Sequence, residues 1–286
     1  MPLSSRTKIR VARLMSGAIR GARRALGRDS RRVLCRRCGV TWELDLSEGV
    51  DLAIFVFGRF ERATSMAFTR LVRPGMTVFD IGANIGGHTL PLAGLVGSEG
   101  RVVAVEPTRW AFSKLTRNAG LNPDLAERIE LLNAAIVDET DRRPVEFHAR
   151  WTLTSPGGSD ARRHPVHLGI LESAGDAAAL TLDELTERAG PPDLMKVDVD
   201  GHEYSVLGGG GRTLSEHRPH ILIELCPYLH REPDRDFAAL VSLLLDAGYD
   251  LFDERGARLP HDPGELERLV PEGGSINALA SPREAG

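Results

Sequence analysis

Asp80, Gly82, Asn84 and Gly86 alternate along the segment DIGANIG, a pattern that suits a loop holding a charged, flexible ligand at close range. An acid at the end of an apolar run offers a carboxylate to a cation. Gly82 and Gly86 open backbone dihedrals denied to other residues and clear side chains away from the loop amides. A second charged cluster lies about a hundred residues further on, in LMKVDVDGHEY, where Lys196, Asp198 and Asp200 alternate with Val197 and Val199. Period-two alternation puts all three on one face of a strand. Carboxylates placed there can take a proton or hold a hard cation such as Mg²⁺.

The elements that must position these groups are read from the flanking pattern. Thr77 to Ile81 is β-branched, aromatic or apolar and follows Pro74-Gly75, as a buried parallel strand would. Gly87, His88, Thr89, Leu90 and Pro91 then open a helix whose free N–H groups face the same crevice. Strand, glycine turn and helix N-terminus make half of a nucleotide-binding unit. A dinucleotide fingerprint would read G-x-G-x-x-G; GANIGG lacks the second glycine at its place. Asp80 would also repel a pyrophosphate, yet it suits the ammonium of an amino-acid moiety. S-adenosylmethionine carries that ammonium and a sulfonium. The next strand, Arg101 to Val105, ends at Glu106-Pro107, where doubly wound folds place the acid that accepts both ribose hydroxyls.

With VVAVEP, KLTRNAGLN, LLNAAIVDE, TLDEL, LMKVDVDGHEYSVLGGG and PHILIELCP in this order, the chain from about Phe57 to Ala280 resembles the FkbM family of class I S-adenosylmethionine-dependent methyltransferases. The resemblance implies a Rossmann-like α/β fold: a seven-stranded, mostly parallel sheet with one antiparallel strand and helices on both faces. It implies S-adenosylmethionine as cofactor, bound by Asp80, Gly82, Ala83, Asn84, Gly86, Thr89, Glu106, Asn133, Ala134 and Asp198, with Asn133 and Ala134 against adenine. Glu61 and Thr64 match a segment that covers the methionine end. It further implies an O-methyl product on a hydroxyl of a sugar, a polysaccharide or glycolipid component, or a polyketide-type natural product. Methylation of nitrogen on a protein or nucleobase is disfavoured, because VDVDGHEY stands where Asn/Asp-Pro-Pro-aromatic would follow the fourth strand. An inactive cofactor-binding protein is the other alternative, although Asp80, Gly82, Gly86, Glu106 and Asp198 are all present.

Methyl transfer to a hydroxyl needs the acceptor in line and its proton removed. Asp198 is the leading catalytic residue, as base or metal ligand; Lys196, Glu224 and Glu203 complete the catalytic set. Glu224 ends the next strand and with Asp198 would form the oxygen pair for a divalent ion, if one is used. A buried ion pair of Lys196 with Asp198 or Glu224, without metal, is the structural alternative. His202 sits at a position the family varies, and His88 stands where the family commonly has an aromatic.

The 286 residues suffice for one large domain with an extension, divided here as 1–50 and 51–286. A net charge of -4 argues against a dedicated nucleic-acid binder. Three cysteines cannot build a disulfide framework, and Cys35-x-x-Cys38 lacks the four ligands of a closed zinc site. With no membrane-length apolar run and no secretory apolar core, the expected compartment is the cytoplasm. Between Arg6 and Arg37 the only acid is Asp29, while Val11, Leu14, Met15, Ala18, Ala22, Ala25 and Leu26 recur at helical spacing. Such a helix packs on the domain, lies on an anionic membrane or binds RNA; it lacks Trp and Phe anchors. Val33–Cys35 and Val40–Leu44 read as a hairpin turning at Arg36–Gly39. Further strands are expected at 129–133, 194–199, 220–225 and near 249–253 and 275–280, and a helix from Glu61 to Val72. The segment Arg150 to Ala178 reads as a loop over the site, with His148, Trp151, His164 and His167 available to a small-molecule or glycan acceptor.

Overall fold

The structure is a computed structural model that describes residues 5–138, 146–153, 169–230 and 232–284; His164 and His167 lie outside them. Seven strands form the central sheet: β1 (Thr77–Ile81), β2 (Arg101–Val105), β3 (Ile129–Leu132), β4 (Leu194–Val197), β5 (His220–Leu225), β6 (Tyr249–Asp253) and β7 (Ile276–Pro282). Their order is β6-β7-β5-β4-β1-β2-β3. β7 alone runs antiparallel, pairing with both β5 and β6. The expected fold class is therefore present, with one antiparallel strand in a mostly parallel sheet.

Alternation along each strand divides the core. Phe79, Ile81, Val103, Val105, Met195, Val197, Ile221 and Ile223 share a cluster with Leu182 and Leu185 of one helix and Leu240, Val241 and Leu244 of another. Val78, Val102, Leu194 and Leu222 point the other way, against Phe68, Leu92 and Ala93. Period two thus buries both faces, as a parallel sheet between helix layers requires. Asp80, Lys196 and Glu224 share the parity of the second set, so the charged groups emerge on one face. Lys196 lies beside Asp80 on β1 and Leu222 on β5 in the ladder.

Residues 5–50 are built onto this domain. Helix α1 (Ser5–Ala25) leads to a hairpin of Arg32–Arg37 and Val40–Asp45, turning at Cys38 and Gly39, both with positive φ. Helix α2 (Gly49–Phe57) follows and crosses the expected boundary at residue 50. Val40, Trp42 and Leu44 bury against Ile54, Ile85, Leu90 and Ala119. Ala12, Met15 and Ile19 of α1 pack around Leu46, Leu52 and Leu153, and Ser16 Oγ donates to Leu46 O at 2.7 Å. Helix α3 (Arg62–Leu71) and helix α4 (Thr89–Leu95) flank β1.

Two expectations change. β4 stops at Val197 rather than residue 199, because Asp200 (φ 50°) and Gly201 (φ 101°) turn the chain through left-handed backbone. The insertion is not simply a loop: Glu146–Arg150 pairs antiparallel with Ile170–Ser173, and Ala178–Leu180 pairs in parallel with Ala134–Ile136. Phe147 and Ala149 are the buried half of that first ladder, a two-residue period too short to stand out from sequence.

Candidate active site

The loop after β1 is shaped from both sides. Gly82 and Ala83 N–H groups donate to Val105 O at 3.0 Å, which ties the loop to the end of β2. Gly82 has φ 82°, and a Cβ there would lie 1.9 Å from Asp198 O, so no other residue fits. Asn84 is also left-handed (φ 48°); its N–H donates to Glu106 Oε2 at 2.9 Å and its Nδ2 to Ala149 O at 3.1 Å. Glu106 Oε1 accepts from Thr108 N at 2.9 Å and Thr108 Oγ1 at 2.5 Å. One acceptor position on Oε2 is left for a ligand. Burial pushes the Glu106 carboxyl up against the pull of these donors.

Lys196 is the hub of the second charged cluster. Its Nζ donates to Gly82 O at 3.1 Å and stands 3.3 Å from Asp198 Oδ2 and 3.4 Å from Asp80 Oδ1. Burial favours the neutral amine, but Asp198, Asp80 and Glu61 more than offset it and raise the ammonium above the ordinary lysine range. Lys196 is therefore a fixed cation, not a base. Asp198 is raised by burial, opposed by Lys196; Asp200 and Glu224 are raised well above the carboxylate range by burial and by the neighbouring Asp198 carboxylate. Glu224 Oε1 instead accepts from Ser275 Oγ at 2.5 Å, and among the described residues no ion pair joins Glu224 to Lys196.

These groups face a cavity of about 410 Å³. Gly82, Ala83, Asn84, Glu106, Lys196, Asp198 and Glu224 line it, together with Asp200. Glu61, Glu106, Asp198, Asp200 and Glu224 set five acidic side chains around the single ammonium of Lys196. Asp200 and Glu224 are pushed toward the neutral form, and a cation among them would favour their carboxylates, so the setting suits a cationic ligand. The sulfonium and ammonium of S-adenosylmethionine fit that setting, and the missing side chain at Gly82 lets the loop close on the backbone of Asp198. Phe147, His148, Trp151 and Leu153 bring an apolar and aromatic wall from the insertion. Trp151 is held there by Gly49, whose N–H donates to Trp151 O at 2.9 Å. Ile9 and Ala12 of α1, with Val50, close the same side. Sequence patterning missed this contribution, because contact between residue 12 and residue 153 leaves no local signal.

Several expected residues lie off the cavity wall. Asp80 is fully buried, accepting from Thr89 Oγ1 at 2.6 Å and facing Lys196, so its carboxylate is spent inside the protein rather than on a ligand ammonium. Thr89 is correspondingly turned to Asp80. Gly86 (φ 90°) serves packing: a Cβ would meet Leu115 Cδ1 at 2.9 Å. Asn133 Nδ2 donates to Glu106 O and Pro107 O at 2.9 Å, bracing the acidic loop, and Ala134 is buried in its strand. Glu203, expected as catalytic, is fully buried and accepts from Val199 N at 2.9 Å and Gly201 N at 3.0 Å. Burial alone would raise its carboxyl; His230, with Nε2 2.8 Å away, and the Val199 N–H hold it below the ordinary value. It fixes the turn after Asp198 instead of meeting a substrate. His88, by contrast, reaches the cavity wall; it is packed between Phe60 and Phe68, with both ring nitrogens buried, so its ring fills the place of an aromatic. Thr64 is buried among Glu61, Glu254 and Asn277, while Glu61 reaches the wall. His202 packs against Phe147 with the rings tilted, centroids 4.9 Å apart. Among the described residues no group of three or more His, Cys, Asp or Glu is arranged to hold a metal ion, at Cys35 and Cys38 or elsewhere.

A sheet in this order, with a glycine loop after β1 and acids after β2 and β4, defines a class I methyltransferase domain. Comparison with known families makes this specific: residues 80–251 match the Methyltransferase FkbM domain, and the chain belongs to that family of S-adenosylmethionine-dependent methyltransferases. Over 113 residues it is 32% identical to Ribosomal RNA large subunit methyltransferase E of Hahella chejuensis (strain KCTC 2396), covering 40% of this chain and 53% of that protein. Over 141 residues it is 28% identical to Hexuronic acid methyltransferase AglP of Haloferax volcanii, covering 46% of this chain and 48% of the relative. The chain thus spans about half the length of the curated relatives it matches. A crystal structure of Methyltransferase FkbM from Methylobacillus flagellatus KT superposes with a TM-score of 0.43 at 18% identity, over 76% of this chain and 50% of that one.

Proposed function

We propose that this chain transfers a methyl group from S-adenosylmethionine to a hydroxyl oxygen of a sugar, a polysaccharide or glycolipid component, or a polyketide-type product. One observation carries the reading: Asp198, on the cavity wall, is held by Lys196, which also grips the carbonyl of Gly82 in the cofactor loop. A base is thereby fixed next to the methyl donor's loop, as transfer to a weakly acidic hydroxyl requires. When bound, S-adenosylmethionine supplies an electrophilic methyl on its sulfonium. Asp198 would take the acceptor proton as the oxygen gains the methyl and the S–CH3 bond breaks to leave the neutral thioether, and Lys196 would keep that carboxylate oriented. Glu106 has one acceptor position left, enough for one ribose hydroxyl rather than both. The hexuronic acid methyltransferase among the relatives is in keeping with a sugar-type acceptor.

The test is radiolabelled methyl transfer onto nucleotide sugars, glycolipids, macrolide-type alcohols, rRNA and protein. Label in an alkali-stable methyl ether supports the proposal; label on nitrogen, or none despite bound cofactor, overturns it. Glu106→Ala should weaken S-adenosylmethionine binding about tenfold or more, the worth of a hydrogen bond to a charged group. Unchanged affinity by calorimetry would remove the ribose assignment. Lys196 already neutralises Asp198, so turnover should withstand EDTA. Loss restored by Mg²⁺ would make Asp198 and Glu224 metal ligands.

A further inference from the structure

Helix α1 has two apolar faces, and only one is used. The inner face, with Ile9, Ala12, Met15, Ser16 and Ile19, packs on the domain and borders the cavity. The other carries Val11, Leu14, Ala18, Ala22 and Ala25, which fall on one stripe at 100° per residue. These residues are exposed, Leu14 at 75% and Val11 at 45%, and Leu26 just beyond is 71% exposed. Arg10 borders the stripe, and Arg24, Arg13 and Arg20 lie further round the same side. Among the described residues, Arg10, Arg13, Arg20, Arg24 and Arg28 enter no ion pair.

We propose that this outer face lies on an anionic lipid bilayer surface. An apolar stripe edged by unpaired arginines is what the headgroup boundary accepts: side chains such as Leu14 sink toward the acyl region while guanidinium groups meet lipid phosphates. Charge complementarity selects this occupant, because Asp29 is the only acid from Arg6 to Arg37. RNA would satisfy the arginines but leave the stripe in water, and a second copy would bring arginines against arginines. No helix among the described residues is long and apolar enough to cross the bilayer, so the contact is peripheral. Docking would make a cavity-lining helix the membrane-facing element.

The test is co-sedimentation of the full chain with phosphatidylcholine vesicles, with and without phosphatidylglycerol. The wild type should pellet with the anionic vesicles, lose binding at high salt and stay in the supernatant with neutral ones. Leu14→Glu combined with Val11→Glu, and separately Arg10→Glu combined with Arg24→Glu, should each weaken binding about tenfold or more with an unchanged melting temperature. Failure of the wild type to pellet overturns the proposal. So does wild-type-like binding by the Leu14/Val11 variant, which would mark a purely electrostatic contact. A solution dimer that this variant splits would instead assign the face to a second copy.

Discussion

Asp198→Asn should lower kcat by about 10² to 10⁴, the range that general-base catalysis contributes, while leaving S-adenosylmethionine affinity within a few fold. The amide keeps the shape of the side chain beside Lys196 but cannot take a proton. Cofactor affinity survives because the donor loop is organised by Val105 O, Glu106 and Gly82 itself, not by the Asp198 carboxylate. In the wild type, kcat should fall as pH drops through the Asp198 pKa. Burial raises that pKa above its ordinary value, so the acid limb lies above the usual carboxylate range. A variant with kcat near wild type, or a wild-type profile flat down to about pH 4, the ordinary carboxylate value, would make Asp198 structural.

Lys196→Met should be the most destabilising single change in the site, by about 3–5 kcal/mol in urea unfolding. The ammonium is the charge partner of fully buried Asp80 and of Asp198, and a thioether of similar length leaves both uncompensated. A double-mutant cycle separates this from lost packing. Asp80→Asn in the Lys196→Met background should recover part of the loss, whereas Asp80→Asn alone should destabilise. A penalty under about 1 kcal/mol, the worth of an exposed pair, would show that water reaches the cluster and that Lys196 is no hub.

The parts legible from sequence were those governed by local periods and punctuation. β1, β2 and β5 run over the expected residues because apolar runs there are bounded by signals such as Pro74-Gly75 and Glu106-Pro107. The glycine loop was legible for the same reason: only glycine tolerates both φ 82° and a neighbouring carbonyl at residue 82. Partner choice was not. Lys196 takes Asp80 and Asp198 and leaves Glu224 to Ser275, which follows from ladder register rather than composition. Glu203 misled because its place in a charged motif does not reveal that its carboxylate turns back onto Val199 and Gly201. The cavity's second wall depends on Gly49 meeting Trp151, a pairing about a hundred residues apart in sequence.

The two walls have separate origins along the chain. The family match opens at Asp80 and supplies the loop and four of the five cavity acids, whereas Glu61 and also Ile9, Ala12, Gly49 and Val50 come from before it. A protein trimmed of everything before Phe60 would keep all seven strands, the glycine loop and the acidic side chains yet lose one side of the chamber. By the same token, a lineage could exchange its leading segment and acquire a different acceptor while the methyl-donor loop stayed as it was.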